Sequence, residues 1–408
     1  MNPNIYQPIA AFVIALLSVL WLHPKVVRIA HLKNITDAPD RRKLQQKPIP
    51  VLGGAVVFFG VMLSMGLTGC WYVPQDNLML IFALLLVMLC TGTMDDICEL
   101  SPRMRFVIEI MVALTVIYIA GFRIDDFQGL LGIRRVAVWV GVPLTVVTIV
   151  GIVNAINLID GVDGLCSGYC MMSCTIFGVY FYEVGEMAML LLAASIVGAL
   201  IPFFIHNVFG KRLKMFLGDS GTLVMGLVMS LFVLKIIDHD FAGAVAAVGG
   251  SLDTVGGLEG CLGFGGLGAA NGDNMAAIAA SELSGVAAGI KSSSIVAAGS
   301  NFGAIPFALA VLSIPVFDTL RVMIRRMLRG TSPFLPDKTH LHHAFIARGF
   351  SHLQTTLSII SLNLSVVAIW YLLYRCSASI DLQFWGVVTA ALLIDAVGER
   401  LLTKEHRF

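Results

Sequence analysis

Two asparagines and two aspartates stand close together in the run Asn154-Ala-Ile-Asn157-Leu-Ile-Asp160-Gly-Val-Asp163-Gly-Leu165, between segments that are otherwise apolar. An ionised carboxylate in such surroundings is costly unless it meets a cation or a hydrogen-bond donor. The chain repeats the arrangement at Asp95-Asp96-Ile-Cys-Glu99, Gly218-Asp219-Ser220 and His340-Leu-His342-His343, each interrupting or ending an apolar segment. Carboxylates gathered among cations suit phosphate chemistry with magnesium. That ion takes one or two protein carboxylates and completes its octahedron with phosphate oxygens and water. Phosphoryl transfer asks mainly for positioning and charge neutralisation. Asp95, Asp96, Asp160, Asp163 and Asp219 supply the acids, while Lys47, Arg103, Arg105, Lys214, Arg329 and the histidines supply positive charge.

Each group also has a plainer reading. Gly161 and Gly164 let the chain turn into a helix whose free N–H groups can meet an anion, or Asp163 merely caps that helix. Two Asp and two Asn in so short a run favour function. Asp95 and Asp96 end a helix, where the dipole disfavours negative charge and a bound cation would relieve it. The histidines lie beside Pro336-Asp337-Lys338, which reads as a loop, and no cysteine stands near to make a zinc site. Cys166, Cys170 and Cys174 recur on one helix face and read as packing. Asp318 and Arg321 read as an intrahelical pair. Glu109 and Asp395 lie within spans with roles left open.

The elements that must position these groups are membrane helices. Of 408 residues, 57% are hydrophobic and 13% charged, and mean hydropathy is +0.87, which is far from soluble composition. The net charge of +1 gives no ground for a nucleic-acid partner. The fold class is therefore an all-α, polytopic membrane protein in a lipid bilayer. Apolar runs of spanning length predict eleven helices: Tyr6–Leu22, Val51–Leu67, Leu78–Met94, Met104–Ala120, Val136–Val153, Leu165–Tyr182, Met187–Ile205, Thr222–Ile237, Phe302–Leu320, Thr355–Tyr374 and Phe384–Leu401. Of 27 Lys and Arg, all but Arg123, Arg134, Arg135, Lys235, Lys291 and Arg375 then fall on one side. The positive-inside rule makes that side cytoplasmic, with the N-terminus outside and the C-terminus inside. All four polar constellations land there. A transporter would hold its acids near mid-membrane instead. Residues 240–300 form a Gly/Ala-rich stretch, read as an irregular extracytoplasmic insertion, weakly helical from Met275 to Ile290, in an otherwise single domain.

The motifs also carry a resemblance. Asp37-Ala-Pro-Asp-Arg-Arg42-Lys43 through Pro48 to Gly54, Asp95-Asp96 through Arg103, Asn154 to Leu165, Phe216-Leu-Gly-Asp219-Ser-Gly221, and Ser332 through His343 occur in one order. In that order they resemble the polyprenyl-phosphate N-acetylhexosamine-1-phosphate transferases, integral membrane enzymes related to the muramoyl-pentapeptide phosphotransferase of peptidoglycan synthesis. The resemblance implies transfer of a sugar 1-phosphate from a UDP-sugar to undecaprenyl phosphate, releasing UMP, as the first step of a cell-surface glycan. It places the enzyme in the bacterial cytoplasmic membrane. It implies Mg2+ as cofactor, with Mn2+ as substitute, and leaves a homodimer open. Asp219 would be the leading metal ligand with Asp95, and Asp96 would lie near the lipid phosphate. Asn157, Asp160 and Asp163 would contact the nucleotide, and Phe216 would stack on the uracil. Lys47 and the motif His340, His342 and His343 would hold phosphate. Pro-Asp-Lys followed by His-Leu-His-His is similar to the hexosamine branch. Glu99 stands where the family usually has a third Asp, a tolerable acid swap at a peripheral position, and Gln45 stands where a His commonly follows the Arg-Lys pair, so no catalytic role is given to it.

Overall fold

The structure, a computed structural model, describes residues 6–37, 48–69, 78–238, 301–332 and 339–403. The chain divides into two units, Met1–Asp238 with Gly303–Phe408, and His239–Phe302. The Gly/Ala stretch 240–300, with its expected helix Met275–Ile290, lies outside the described residues, as does Lys47.

Every apolar run but the ninth becomes a single helix. These are α1 (Tyr6–Leu32), α2 (Gly53–Gly69), α3 (Leu78–Cys98), α4 (Pro102–Tyr118), α5 (Val138–Leu158), α6 (Leu165–Val184), α7 (Met187–Phe209) and α8 (Gly218–Asp238). After the undescribed stretch come α9 (Ala304–Val311), α10 (Ser313–Leu328), α11 (Leu341–Ala347), α12 (His352–Arg375) and α13 (Ile380–Thr403). Strands β1 (Thr36–Asp37) and β2 (Ile49–Pro50) pair antiparallel, Thr36 opposite Pro50. Among the described residues, eight helices are long and apolar enough to cross a membrane, namely α1, α3, α5, α6, α7, α8, α12 and α13. The pair α9 and α10 passes the same test together. At 17 residues each, α2 and α4 stand at the second and fourth expected spans.

Local chemistry sets several boundaries. Ser101 accepts from the Met104 N–H and Pro102 opens α4, a favourable helix start. Ser351 and Gln354 form a reciprocal capping box at α12. The ninth expected span, Phe302–Leu320, is broken instead, with α9 and α10 meeting at 78°. Pro315 has no N–H to offer the Val311 carbonyl four residues back. That carbonyl accepts from the Tyr169 hydroxyl at 2.7 Å and from Asn363 Nδ2 at 3.0 Å. Asn363 Oδ1 in turn accepts from Ser313 Oγ at 2.9 Å and the Ile314 N–H at 3.1 Å. The bend is thus held by polar side chains that sequence periodicity does not reveal.

The core is built around α8, buried at every position from Ser220 to Leu234 and packed against α2, α3 and α5. Missing side chains allow this approach. A Cβ on Gly54 of α2 would lie 2.2 Å from the Gly221 nitrogen, one on Gly92 of α3 2.4 Å from the Asp219 carbonyl oxygen, and one on Gly226 2.6 Å from Val153 Cα of α5. Three neighbours therefore converge on α8 with its N-terminus at their shared end. At the opposite end, the loop after α4 ties to the end of α8 through Gln128 Nε2 and the Ile237 carbonyl at 3.0 Å. It ties to the start of α13 through the Leu131 N–H and Asp381 Oδ1 at 2.6 Å.

Candidate active site

The polar cluster forms where α8 begins. Gly218 adopts a left-handed φ of +73°, open to glycine at little cost, and the next two N–H groups turn onto Asp96. The Asp219 N–H meets Asp96 Oδ1 at 2.9 Å and the Ser220 N–H meets Oδ2 at 3.0 Å. Asp96, on α3, thereby caps α8 from another helix and faces the positive end of its dipole. The unfavourable helix end predicted for Asp96 is compensated by protein as well as by any ligand. On the other side, Phe216 donates its N–H to the Pro50 carbonyl at 2.8 Å, and the Gly53 and Gly54 N–H groups reach the carbonyls of Phe216 and Leu217 at 3.1 and 2.8 Å. The segment leading to Asp219 is therefore clamped on both flanks.

Arg105 organises the next layer. It reaches Asp95 Oδ2 at 3.3 Å, Glu109 Oε1 at 3.2 Å and Asn157 Oδ1 at 2.7 Å, and stands 3.9 Å from Asp219 Oδ1. Asn157 donates to Asp219 Oδ1 at 2.5 Å and to Thr222 Oγ1 at 2.7 Å. Asn154 donates to Glu109 Oε2 at 2.5 Å. Asp95, expected as a second metal ligand, is engaged through Oδ1 with the Leu100 N–H at 2.8 Å and through Oδ2 with Arg105. Asp219 is the more open carboxylate, its side chain 35% exposed against 12% for Asp95.

The loop between α5 and α6 brings in the remaining acids. Burial raises the Asp160 pKa well above the ordinary carboxylate range, and the nearby charges of Asp219, Asp96 and Asp163 raise it further. Asp163 moves the other way. Burial alone would raise its pKa, but hydrogen bonds and charge from His352 and Lys214 hold it below its usual value. Its Oδ2 lies 2.6 Å from Lys214 Nζ and 2.8 Å from His352 Nδ1. Asn207 fixes this loop to the next, accepting from the Gly164 N–H at 2.7 Å and donating to the Met215 carbonyl at 2.9 Å. Half-buried Phe216 stands beside Lys214, whose Nζ is 5.8 Å from its ring centre.

The histidine motif, expected in a loop, leads into the short helix α11. Asp318 holds it: its Oδ2 lies 2.8 Å from His340 Nδ1, its Oδ1 accepts from the Leu341 N–H at 3.0 Å, and it also pairs with Arg321. The pair read as merely intrahelical is thus an anchor for the motif. His340 and His342 stack with centres 5.7 Å apart, and His343 follows at 4.3 Å from His342. Nε2 of His342 sits where a Cβ on Gly161 would be 2.7 Å away, so the motif touches the loop carrying Asp160. Burial, then the neighbouring His343 and His340, lowers the His342 pKa to about 3. It is a neutral imidazole at physiological pH.

Asp95, Asp96, Asn157, Asp160, Asp163, Phe216, Asp219, His340, His342 and His343 thus belong to one linked cluster at one end of the bundle, drawn from segments far apart in sequence. Residues 78–237 match Glycosyl transferase family 4. Over those residues the chain is similar to that family. A probable undecaprenyl-phosphate N-acetylglucosaminyl 1-phosphate transferase of Bacillus subtilis (strain 168) is 28% identical over 360 residues, 88% of this chain and 83% of the relative. Undecaprenyl-phosphate alpha-N-acetylglucosaminyl 1-phosphate transferases of Haemophilus influenzae and Salmonella typhi are 27% and 25% identical, covering 85% and 82% of this chain and 81% and 75% of theirs. The family match spans the acids from Asp95 to Asp219, and the geometry adds the histidine motif beyond it.

Several working residues escaped the sequence reading. His352, beside the cap of α12, and Asn207, next to His206, belong to no motif that the sequence singles out. Glu109 is one helical turn after Arg105, a spacing that could have marked the pair.

Proposed function

We propose that this protein transfers N-acetylglucosamine 1-phosphate from its UDP-linked donor to undecaprenyl phosphate, giving the lipid diphosphate sugar and UMP. One observation carries the reading: Asp219, Arg105, Asn157, Asp160 and the histidine motif meet at the open end of α8, in a chain similar to transferases that bear that name. A lipid phosphate oxygen attacks the phosphorus bearing the sugar, and the bond from that phosphorus to the bridging oxygen breaks as UMP leaves. The second pKa of a phosphomonoester is near 6, so the attacking oxygen is largely ionised at neutral pH and needs no obligatory base.

The donor set suits magnesium, since it offers hard carboxylate oxygens and no thiolate. Among the described residues no three His, Cys, Asp or Glu side chains form a ready-made cage, so substrate oxygens and water would have to complete the shell. Asp219 and Asp95 would hold the ion, with Asp160 near Asp219. When bound, the ion neutralises charge on the diphosphate and the leaving UMP. Arg105 places a guanidinium beside Asp219, while His342 meets the loop carrying Asp160. Phe216 offers a face for the uracil, and Lys214 and Asp163 border it. The eleven-span count, an external N-terminus, a cytoplasmic active site and a place in the bacterial inner membrane complete the reading, on the strength of the charge asymmetry.

Purified protein given UDP-N-acetylglucosamine and undecaprenyl phosphate with magnesium should release UMP and form a lipid of the mass of the diphosphate sugar. Absence of both products under conditions where the protein remains folded would overturn the reading.

A further inference from the structure

We propose that Asp395, on the last helix, is a positioning residue for the histidine motif, acting through Arg321 and Asp318. The inference rests on the transferase reading above. Asp395 is 3% exposed, and Arg321 Nε lies 3.8 Å from its Oδ1. Neither Asp395 oxygen has a hydrogen-bond partner among the described residues, and neither do Nε and Nη1 of Arg321. Asp395 is buried and Arg321 half-buried, and opposite charges with unused donors and acceptors are costly alone and attract one another across that gap. The remaining guanidinium nitrogen is already committed: Nη2 binds Asp318 and donates to the Thr339 carbonyl at 3.1 Å. Thr339 is the residue before His340, so Arg321 touches the motif through its backbone and through Asp318 together.

The chain of contacts is continuous. Asp395 faces Arg321, Arg321 binds Asp318, and Asp318 holds both the His340 ring at Nδ1 and the first N–H of α11. A guanidinium is planar and offers its donors in a fixed fork. The attraction of Nε to Asp395 Oδ1 orients the plane in which Nη2 meets Asp318. Without that partner the fork is free to turn, and the His340 ring loses its fixed orientation. The span α13 thereby serves the site although its own residues stand outside the cluster around Asp219.

The test is steady-state kinetics of the full chain in lipid nanodiscs for D395N, D395E, R321M and the double variant D395N/R321M, with UDP-N-acetylglucosamine and undecaprenyl phosphate varied separately. Loss of one buried charge-assisted contact should raise the KM for the UDP-sugar by roughly ten-fold and leave the KM for the lipid unchanged. D395E, longer by one methylene, should close the 3.8 Å separation and stay within about two-fold of wild type. The double variant should be no worse than R321M, because both changes act along one path. Unaltered kinetics in D395N, or losses that multiply in the double variant, would overturn the proposal. So would equal KM values with a reduced kcat in every variant, the mark of a smaller folded fraction. Failure of the transferase reading is separate, since the wild-type protein would then release no UMP.

Discussion

Asp96 on α3 accepts the backbone N–H of Asp219 at 2.9 Å, so the residue best placed to bind a cation is set by a carboxylate from another helix. Its second oxygen takes the Ser220 N–H at 3.0 Å. The pair ties function to folding, because any change at Asp96 moves Asp219 as well. An amide at position 96 keeps one acceptor oxygen and alanine keeps none. Loss of a helix cap costs about 0.5–2 kcal/mol. Asp96→Ala should therefore lower the thermal unfolding midpoint and turnover together, with Asp96→Asn intermediate in both. An unchanged midpoint in the alanine variant would mean that the cap does not hold α8 and that Asp96 acts on substrate alone.

Asp219 itself should behave differently. Its side chain is 35% exposed, and Asn157 can hydrogen-bond an amide oxygen as it does the carboxylate. Asp219→Asn should keep the wild-type unfolding midpoint while UMP release falls by about 100-fold or more, since a neutral amide is a poor ligand for a hard divalent cation. A magnesium titration checks the assignment. Recovery of near-wild-type activity at saturating magnesium would remove Asp219 from the metal site.

Asp163 gives a pH signature. Lys214 and His352 outweigh burial and hold its pKa below the ordinary value, so its contribution to stability is fully present above the unfolded pKa of about 3.9. That contribution is lost as pH falls through the depressed folded value. The midpoint difference between wild type and Asp163→Asn should shrink as pH falls below about 4. A difference that grows as pH falls below about 4 would contradict the pairing with Lys214.

Much of this was legible because membrane helices announce themselves by composition. The expected sixth span, Leu165–Tyr182, and the helix Leu165–Val184 share their first residue, since the glycine before it and the apolar run after it are both local signals. What stayed hidden was tertiary. The bend between α9 and α10 depends on Asn363, far along the chain, accepting from Ser313 and Ile314. The roles of Asp318 and Asp96 likewise depend on donors from other segments, and no spacing rule connects Asp96 with Ser220. Acid positions could be read from sequence, but the partners that orient them could not.

The two ends of the bundle predict topology. Ends of α3, α5 and α7 and starts of α4, α6 and α8 meet at the acid cluster, whereas the loop after α4, the end of α8 and the start of α13 meet at the other. Single cysteines at Glu99 and Arg212, both exposed, therefore sample the first end, and Ser377, also exposed, samples the other side. In a background freed of native cysteines, a membrane-impermeant thiol reagent should label the first two only in inside-out vesicles and the third only from outside. The expectation follows from the concentration of Lys and Arg at the first end. Labelling of Arg348→Cys from the outside, with Arg212→Cys labelled from the inside, would place the histidine helix across the membrane from Asp219. The single interfacial site would then be lost, because a diphosphate held by both cannot bridge a bilayer core of about 30 Å.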